Sequence, residues 1–302
     1  MTHSLFEEDR WLEAVAPGRW RRLEVKQGSE VVASLPYVQG IRKGTITNSR
    51  LTPWLGPWVK QVSEKPSEKA KREIELTAEL IEQLPPAAVT SVACAPEWTN
   101  MLPFQWAGFK ESQIRYTYRI EDLTDPDRVW MNFRQSIRQD CRKAEKSVVV
   151  SAETDLTFML DTLKENFGRK SVEPPSSELV RRIDSALSET DSRTLLVARE
   201  GATGQPLGFN YLVHDARHCF YLMSGQTKQS RRLCAGSFLL WKSILRGAEV
   251  SSIFDFEGSS IPEVERFVRG FGGRLVPRFV AVKYDGLSTV RRAAKIVRES
   301  WR

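Results

Sequence analysis

The stretch GSFLLWKSILRGAEVSSIFDFEGS, residues 236–259, decides the fold. Its first half holds a Leu-Leu-Trp core in a run without proline and predicts a helix over about 235–247. After Gly247 the pattern changes. IFDF at 253–256 is a short apolar run of strand type, and two carboxylates, Asp255 and Glu257, stand at its end before Gly258-Ser259-Ser260. Side chains alternate along a strand, so Phe254 and Phe256 share one face and Asp255 and Glu257 the other, roughly 7 Å apart. Ser260-Ile-Pro-Glu263 is a capping box with proline in the first turn, so another helix follows over about 261–270. In open α/β sheets ligands sit beyond the carboxyl ends of strands. The two acids have two readings: a strand leaving the core, or the mouth of an active site.

Upstream of this stretch, RTLLVARE (193–200), LGFNYLVH (207–214) and HCFYLMSG (218–225) are three strands joined by turns at 201–204 and 215–217. Downstream, 274–284 is a strand and 287–301 a basic helix. Further back lie a helix over 126–146, a strand at 148–152, and helices over 155–168 and 176–188. The N-terminal part has a short helix at 6–15, strands at 21–27 and 31–38 with a Gln27-Gly28-Ser29 hairpin signal, and a third strand at 44–49. The loop PWLGPW (53–58), a helix ended by Pro85-Pro86, a strand at 88–95, a helix at 97–106 and a strand at 110–120 complete it. The first part runs strand, strand, strand, helix, strand, helix, strand, the second half of the second part reads the same, and both last helices end in glycine. That order predicts two copies of one α/β module, divided by the polar segment EDLTDPD into 1–122 and 123–302.

Composition sets the outer limits. At 302 residues the chain holds one large domain or two, and its fourteen Phe and nine Trp exclude a disordered chain. The net charge of +7 favours an anionic partner, although a Lys/Arg-rich skin would give the same number. Cys94, Cys141, Cys219 and Cys234 show no C-x-x-C pair and read as reduced, mostly buried thiols. The acidic start MTHSLFEEDRWLEAV does not read as a signal peptide, and no window approaches the 18 or so apolar residues of a membrane span. A cytoplasmic protein is the expectation, with peripheral contact at a membrane surface left open.

The second part resembles the Fem-type (FemAB-like) branch of the GNAT acyltransferase superfamily. Three stretches carry the resemblance: FRQSIRQDCRKAEKSVVV (133–150), the opening stretch with its DFEG strand end, and VERFVRGFGG (264–273). The WLEAVAPG start and the LGPW loop add a looser match in the first part. The resemblance implies two GNAT-like modules of mixed, largely antiparallel sheets flanked by helices, the N-terminal one degenerate. It also implies transfer of an acyl or aminoacyl group to an amine. In such a module two neighbouring strands splay, the acyl donor enters the gap, and a backbone N–H polarises the scissile carbonyl. That group falls near Met223, Ser224 and Gly225, on a run where Tyr221, Met223 and Gly225 alternate with Leu222 and Ser224. Asp255 and Glu257 would orient or deprotonate the attacking amine. For Asp255 the other reading is a structural acceptor for the nearby turn.

The donor is the harder question. The coenzyme A loop of true acetyltransferases follows Q/R-x-x-G-x-G/A. Here Arg231-Arg-Leu-Cys-Ala-Gly236 places Cys234 where the first glycine is expected, which weakens the nest for a diphosphate. On the helix over 126–146, Trp130, Phe133, Ile137 and Ala144 make an apolar stripe. Arg134, Arg138, Arg142 and Lys146 recur every four residues on another face, with Lys143 beside them. Like charges at that spacing repel by about 0.2–0.5 kcal/mol per pair. The face is either solvated, with relief from Asp140 and Glu145, or a ridge for phosphates.

These features favour aminoacyl-tRNA as co-substrate, bound through its acceptor end, with no permanently bound cofactor and no DNA partner. The acceptor would be a small molecule, amino sugar or cell-wall precursor bearing an amine. The alternatives are an acyl-CoA-dependent N-acyltransferase and a non-catalytic binding module. Lys283 is a candidate for donor or acceptor charge, with a solvated lysine as the plain alternative. His214 and His218 flank a hairpin turn and read as having no special role, so no metal is expected. Trp54 and Trp58 read as packing anchors.

Overall fold

The hairpin expected at Gln27-Gly28-Ser29 is present in a computed structural model that describes residues 4–168, 173–258 and 261–285. Gly28 takes φ 63°, the left-handed conformation that a two-residue hairpin loop requires. After α1 (Asp9–Val15), the strands β1 (Trp20–Gln27) and β2 (Glu30–Val38) pair antiparallel around this turn. β3 (Thr45–Ile46), β4 (Trp58–Val59), α2 (Pro66–Glu82), β5 (Val89–Ala93), α3 (Leu102–Trp106) and β6 (Glu111–Ile120) follow. The next elements are α4 (Pro126–Met131), α5 (Gln135–Ala144), β7 (Val148–Glu153), α6 (Thr157–Gly168), α7 (Ser177–Ser188), β8 (Arg193–Glu200), β9 (Pro206–His214) and β10 (His218–Gln226). The described chain closes with α8 (Ala235–Val250), β11 (Ile253–Asp255), α9 (Pro262–Arg269) and β12 (Arg274–Tyr284). The Ser260 cap and the basic helix expected over 287–301 lie outside the described residues.

The chain divides into two compact units, residues 1–115 with 277–302, and residues 116–276. The polar segment EDLTDPD predicts one boundary, after residue 122. The structural division lies at 115/116 and the chain returns to the first unit at 276/277. The last strand of each sequence repeat therefore ends away from its own repeat: residues 116–120 of β6 belong to the second unit and residues 277–284 of β12 to the first.

In the first unit β1, β2 and β4 form one sheet, while β3 pairs parallel with β5 and β5 antiparallel with the 280–284 end of β12. Leu76, Leu80 and Ile81 of α2 close over Val25, Leu35, Val59 and Ala281, with Trp98, Phe104 and Phe109 filling the remainder. Burying each such Leu or Phe contributes about 1.5–3 kcal/mol. Trp54 of the PWLGPW loop is buried edge-on against Phe6 at 5.3 Å, a packing anchor as expected, and Trp58 is half-buried.

In the second unit the sheet order is β6-β11-β10-β9-β8-β7. All neighbours are antiparallel except β10 and β11. Helices cover both faces. Asn210 Nδ2 donates to Ser243 Oγ of α8 at 2.9 Å, whereas the next residue, Tyr211, donates its hydroxyl to Asp184 of α7 at 3.0 Å. α5 packs on α8, and Phe133, Ile137, Leu239, Leu240, Phe254 and Phe271 share one core.

The single helix expected over 126–146 is two helices. The break at Asn132–Arg134 has a local cause. The Arg134 N–H donates to the Gly270 carbonyl at 2.8 Å instead of continuing a helical ladder. Phe133 turns inward and is packed by Trp130, Trp241 and Phe271. Gly272 permits the approach, because a Cβ there would stand 2.5 Å from the Asn132 carbonyl oxygen. The helix over 97–106 is also shorter than expected, covering only Leu102–Trp106.

Candidate active site

β10 and β11 start together and part early. Their parallel pairing covers His218↔Ile253 to Phe220↔Asp255, while β10 runs on against β9 as far as Gln226↔Gly208. From Tyr221 onward β10 therefore has β9 on one side and no β11 partner on the other, which opens a gap at the carboxyl ends of both strands.

Within that free length the register slips between Tyr221↔Leu212 and Met223↔Tyr211, leaving Leu222 as the extra residue of a β-bulge. The slip corrects the simple alternation expected from sequence. Tyr221 stays on the α8 face, packed against the core that includes Leu212. Met223 and Gly225 turn to the other face, where a Cβ on Gly225 would meet Phe209 Cε1 at 2.4 Å and Thr162 Cγ2 of α6 at 2.8 Å. Ser224, opposite Asn210, returns to the α8 face. Burial pushes the Tyr221 hydroxyl up to about 12, against the pull of the nearby Ser224 hydroxyl. It is protonated at neutral pH and suited to donate rather than accept a proton.

The two acids at the end of β11 have different fates. Asp255 is fully buried. Its Oδ1 accepts from Thr117 Oγ1 at 2.5 Å and from the Glu257 N–H at 2.8 Å, and its Oδ2 pairs with Arg119 Nε at 2.6 Å. A carboxylate closed off from solvent and held by three donors is a structural anchor, so the turn-acceptor reading is the one this geometry fits. Glu257 does not share a strand face with it. β11 stops at Asp255, and Glu257 takes φ 64°, a left-handed backbone rare for a side chain of this size. The Asp255–Glu257 bond holds that turn, and Gly258 (φ 70°) completes it, pressed against the Tyr116 carbonyl. Strained residues of this kind cluster at functional sites. Glu257 is half-buried at the mouth of the strand end.

The basic residues gather on α5 and its ends. Arg138 and Arg142 lie on the helix, Arg134 is its N-cap residue, and Lys146 follows its C-cap. Arg138 Nη1 donates to the Met131 carbonyl at 2.9 Å, Arg134 Nε to Ser136 Oγ at 2.8 Å, and the Arg142 guanidinium lies 5.9 Å from the Trp130 ring centroid. Among the described residues none of these side chains, nor Lys143, has a carboxylate within ion-pair distance. Asp140, expected to relieve them, turns toward α8 instead, where Ser237 Oγ approaches its Oδ2 at 3.4 Å.

At the start of α8, Cys234 is the N-cap residue at φ 55°, ψ 25°, the left-handed geometry that favours glycine. Its thiol is pushed up by burial and then by the nearby Asp140 carboxylate. Gly236 sits in the first turn, under the Gln226 side chain, and Arg231 is exposed on the preceding turn. Lys283 belongs to the first unit, where its ammonium stands 6.0 Å from the Phe109 ring centroid. His214 and His218 are buried, and among the described residues no three His, Cys, Asp or Glu side chains converge as metal ligands. The residues missed from sequence are Thr117 and Arg119. Only Arg119, a cation near the end of a strand rich in aromatic and β-branched residues, carried a signal.

Residues 131–258 match the family model of the acetyltransferase (GNAT) domain, and this stretch is a GNAT domain. No curated protein sequence matches the chain. Among solved structures, FemX matches with a TM-score of 0.69 at 12% identity over 97% of this chain and 94% of that one. The C-terminal domain of a putative lysylphosphatidylglycerol synthetase from Agrobacterium fabrum gives 0.58 at 12% identity, over 92% and 88%. A tandem GNAT protein from the clavulanic acid biosynthesis pathway gives 0.52 at 12% identity, over 90% and 85%. At this identity the likeness is one of fold. The chain is an α/β protein with two GNAT-like modules. Among the described residues no helix is long and apolar enough to cross a membrane.

Proposed function

We propose that this protein transfers an aminoacyl group from aminoacyl-tRNA to the amine of a small molecule, amino sugar or cell-wall precursor. The amine attacks the ester carbonyl, a tetrahedral oxyanion forms, and the C–O bond to the terminal ribose breaks. A backbone N–H of the bulged segment 222–225 stabilises the oxyanion, with the protonated Tyr221 hydroxyl on the same strand. Glu257 takes the proton that the amine loses, and the departing ribose oxygen recovers one. Asp255 holds the turn that presents Glu257.

The observation that carries the choice of donor is the set of arginines and lysines on α5 without carboxylate partners, on a helix packed against α8 at the edge of the gap. Arg134, Arg138, Arg142 and Lys146 are placed to meet phosphates of the acceptor end. The acetyltransferase-domain match over 131–258 favours a second reading, an acyl-CoA-dependent N-acyltransferase.

Titration with bulk charged tRNA and with acetyl-coenzyme A, followed by thermal shift, separates the two. Charged tRNA should bind, and neutralising Arg138 and Arg142 together should weaken it and lower the salt slope by about 0.7–0.9 for each phosphate no longer neutralised. Stabilisation by acetyl-coenzyme A with no response to charged tRNA would overturn the reading.

A further inference from the structure

α6 packs on β10 along the face that α8 leaves free. Phe158 of α6 meets Phe209 of β9 edge-on, with ring centroids 6.5 Å apart. One and two turns further along the helix, Thr162 and Asn166 stand over Gly225. A Cβ on Gly225 would meet Thr162 Cγ2 at 2.8 Å and Asn166 Nδ2 at 3.1 Å, so the missing side chain is what lets the end of α6 seat directly on the strand. Gly225 belongs to the length of β10 that has no β11 partner. The Asn166 amide therefore lies beside the gap.

That amide lacks a partner. Its Nδ2 is closed off from solvent and has no hydrogen bond among the described residues. A hydroxyl rotates to suit its neighbours, but a carboxamide NH2 carries two hydrogens fixed in its plane. Leaving such a donor unmatched is unfavourable, and a folded protein that keeps one calls for a reason. Two residues past Gly225, Thr227 Oγ1 is buried and unmatched as well. The terminal torsion of an Asn side chain is broad. The NH2 can swing from above Gly225 into the gap, and it gives up no bond in doing so.

We propose that Asn166 is a specificity-determining residue for the amine acceptor: its NH2 donates to a carbonyl or carboxyl oxygen that the acceptor carries next to the attacking amine. The groups of the acyl donor do not match it. An α-ammonium is itself a hydrogen-bond donor, the scissile carbonyl oxygen goes to the backbone N–H groups of the bulge, and the phosphates go to the α5 cations. The other face of β10 is filled by Tyr221 and the core around Leu212, which leaves the α6 face for the acceptor. The inference rests on the amine-transfer reading for its purpose, but its test involves no acyl donor.

The test is an NMR titration of isotope-labelled protein with glycinamide, which has a carbonyl oxygen beside its amine, and with ethylamine, which has none. The side-chain amide signals of Asn166 are identified by their loss in Asn166→Asp. Glycinamide should shift them to saturation, and ethylamine should leave them in place. Wild type should bind glycinamide more than about tenfold tighter than ethylamine, and Asn166→Asp and Asn166→Leu should bring the two within about twofold, because a site built to hydrogen-bond a ligand rejects the analogue without that group. Asn166→Leu and Asn166→Ala lose no hydrogen bond, so at least one should melt within about 3 °C of wild type or above it. Unmoved Asn166 signals, equal shifts with both probes, or a fall of more than about 3 °C in both variants overturns the inference. Failure of charged tRNA to bind would instead remove the donor proposed above and leave this result standing.

Discussion

Replacing Asp255 by Asn should cost the protein stability before it costs anything else. Three donors converge on its two oxygens: Thr117 Oγ1 and the Glu257 N–H on Oδ1, and Arg119 Nε on Oδ2. An amide of the same size offers one oxygen. If its NH2 replaces Oδ2, it faces the Arg119 N–H. If it replaces Oδ1, Thr117 can rotate to accept, but the Glu257 N–H cannot. In either orientation one buried donor meets another, and the guanidinium loses its counter-charge inside the core. Breaking a buried pair in this way costs about 3–5 kcal/mol, a large part of the roughly 5–15 kcal/mol that holds a typical domain folded. Urea unfolding followed by Trp fluorescence should show a midpoint lowered by more than about 1 M at unchanged slope. Asp255→Leu combined with Arg119→Met should recover much of that loss, because no charge is then left buried. An Asp255→Asn protein with wild-type unfolding and no transferase activity would refute the reasoning and return Asp255 to the role of base.

Gly258→Ala would place a methyl 2.0 Å from the Tyr116 carbonyl oxygen at φ 70°, so the turn must move. A loss of about 1–3 kcal/mol is expected, with the transfer rate falling more than acceptor binding because Glu257 is displaced. A thermal melt and initial-rate measurements check both. His214 is held below its ordinary value by burial and then by Arg246, with Asp191 and Asp215 pulling the other way. The folded protein resists a proton that the unfolded chain accepts near pH 6.5, so stability falls as the pH drops below about 6.5. His214→Gln should flatten that part of the stability-against-pH curve, and an unaltered curve would show that His214 contributes nothing to it.

Much of this protein was legible along the chain because the signals are local. Alternation in RTLLVARE, LGFNYLVH and HCFYLMSG, the Gly28 turn and the Pro85-Pro86 stop each act within a few residues, and the strands and helices they predict are present. The resemblance to a GNAT acyltransferase module rested on such stretches and is borne out by the family match over 131–258. What failed were inferences that ran a local rule past its end. Helical periodicity continued through Phe133, but packing against Trp241 and Phe271 was stronger than one more turn of helix. Strand alternation continued to Glu257 and across Leu222, but β11 stops at Asp255 and β10 bulges.

The order of elements, the doubled module and the two acids at a strand end were thus determined by the sequence alone, since propensity and periodicity need only neighbours. Tertiary structure decided the rest. Asp255 became an anchor because Thr117 and Arg119, 138 and 136 residues away, are brought to it by the pairing of β6 with β11. The last strands of the two repeats ended in opposite units, since an apolar strand carries the same pattern whichever sheet accepts it. The Asp140 carboxylate meets the Ser237 hydroxyl of α8 and not the cations of its own helix, because that hydroxyl is beside it only once the two helices pack.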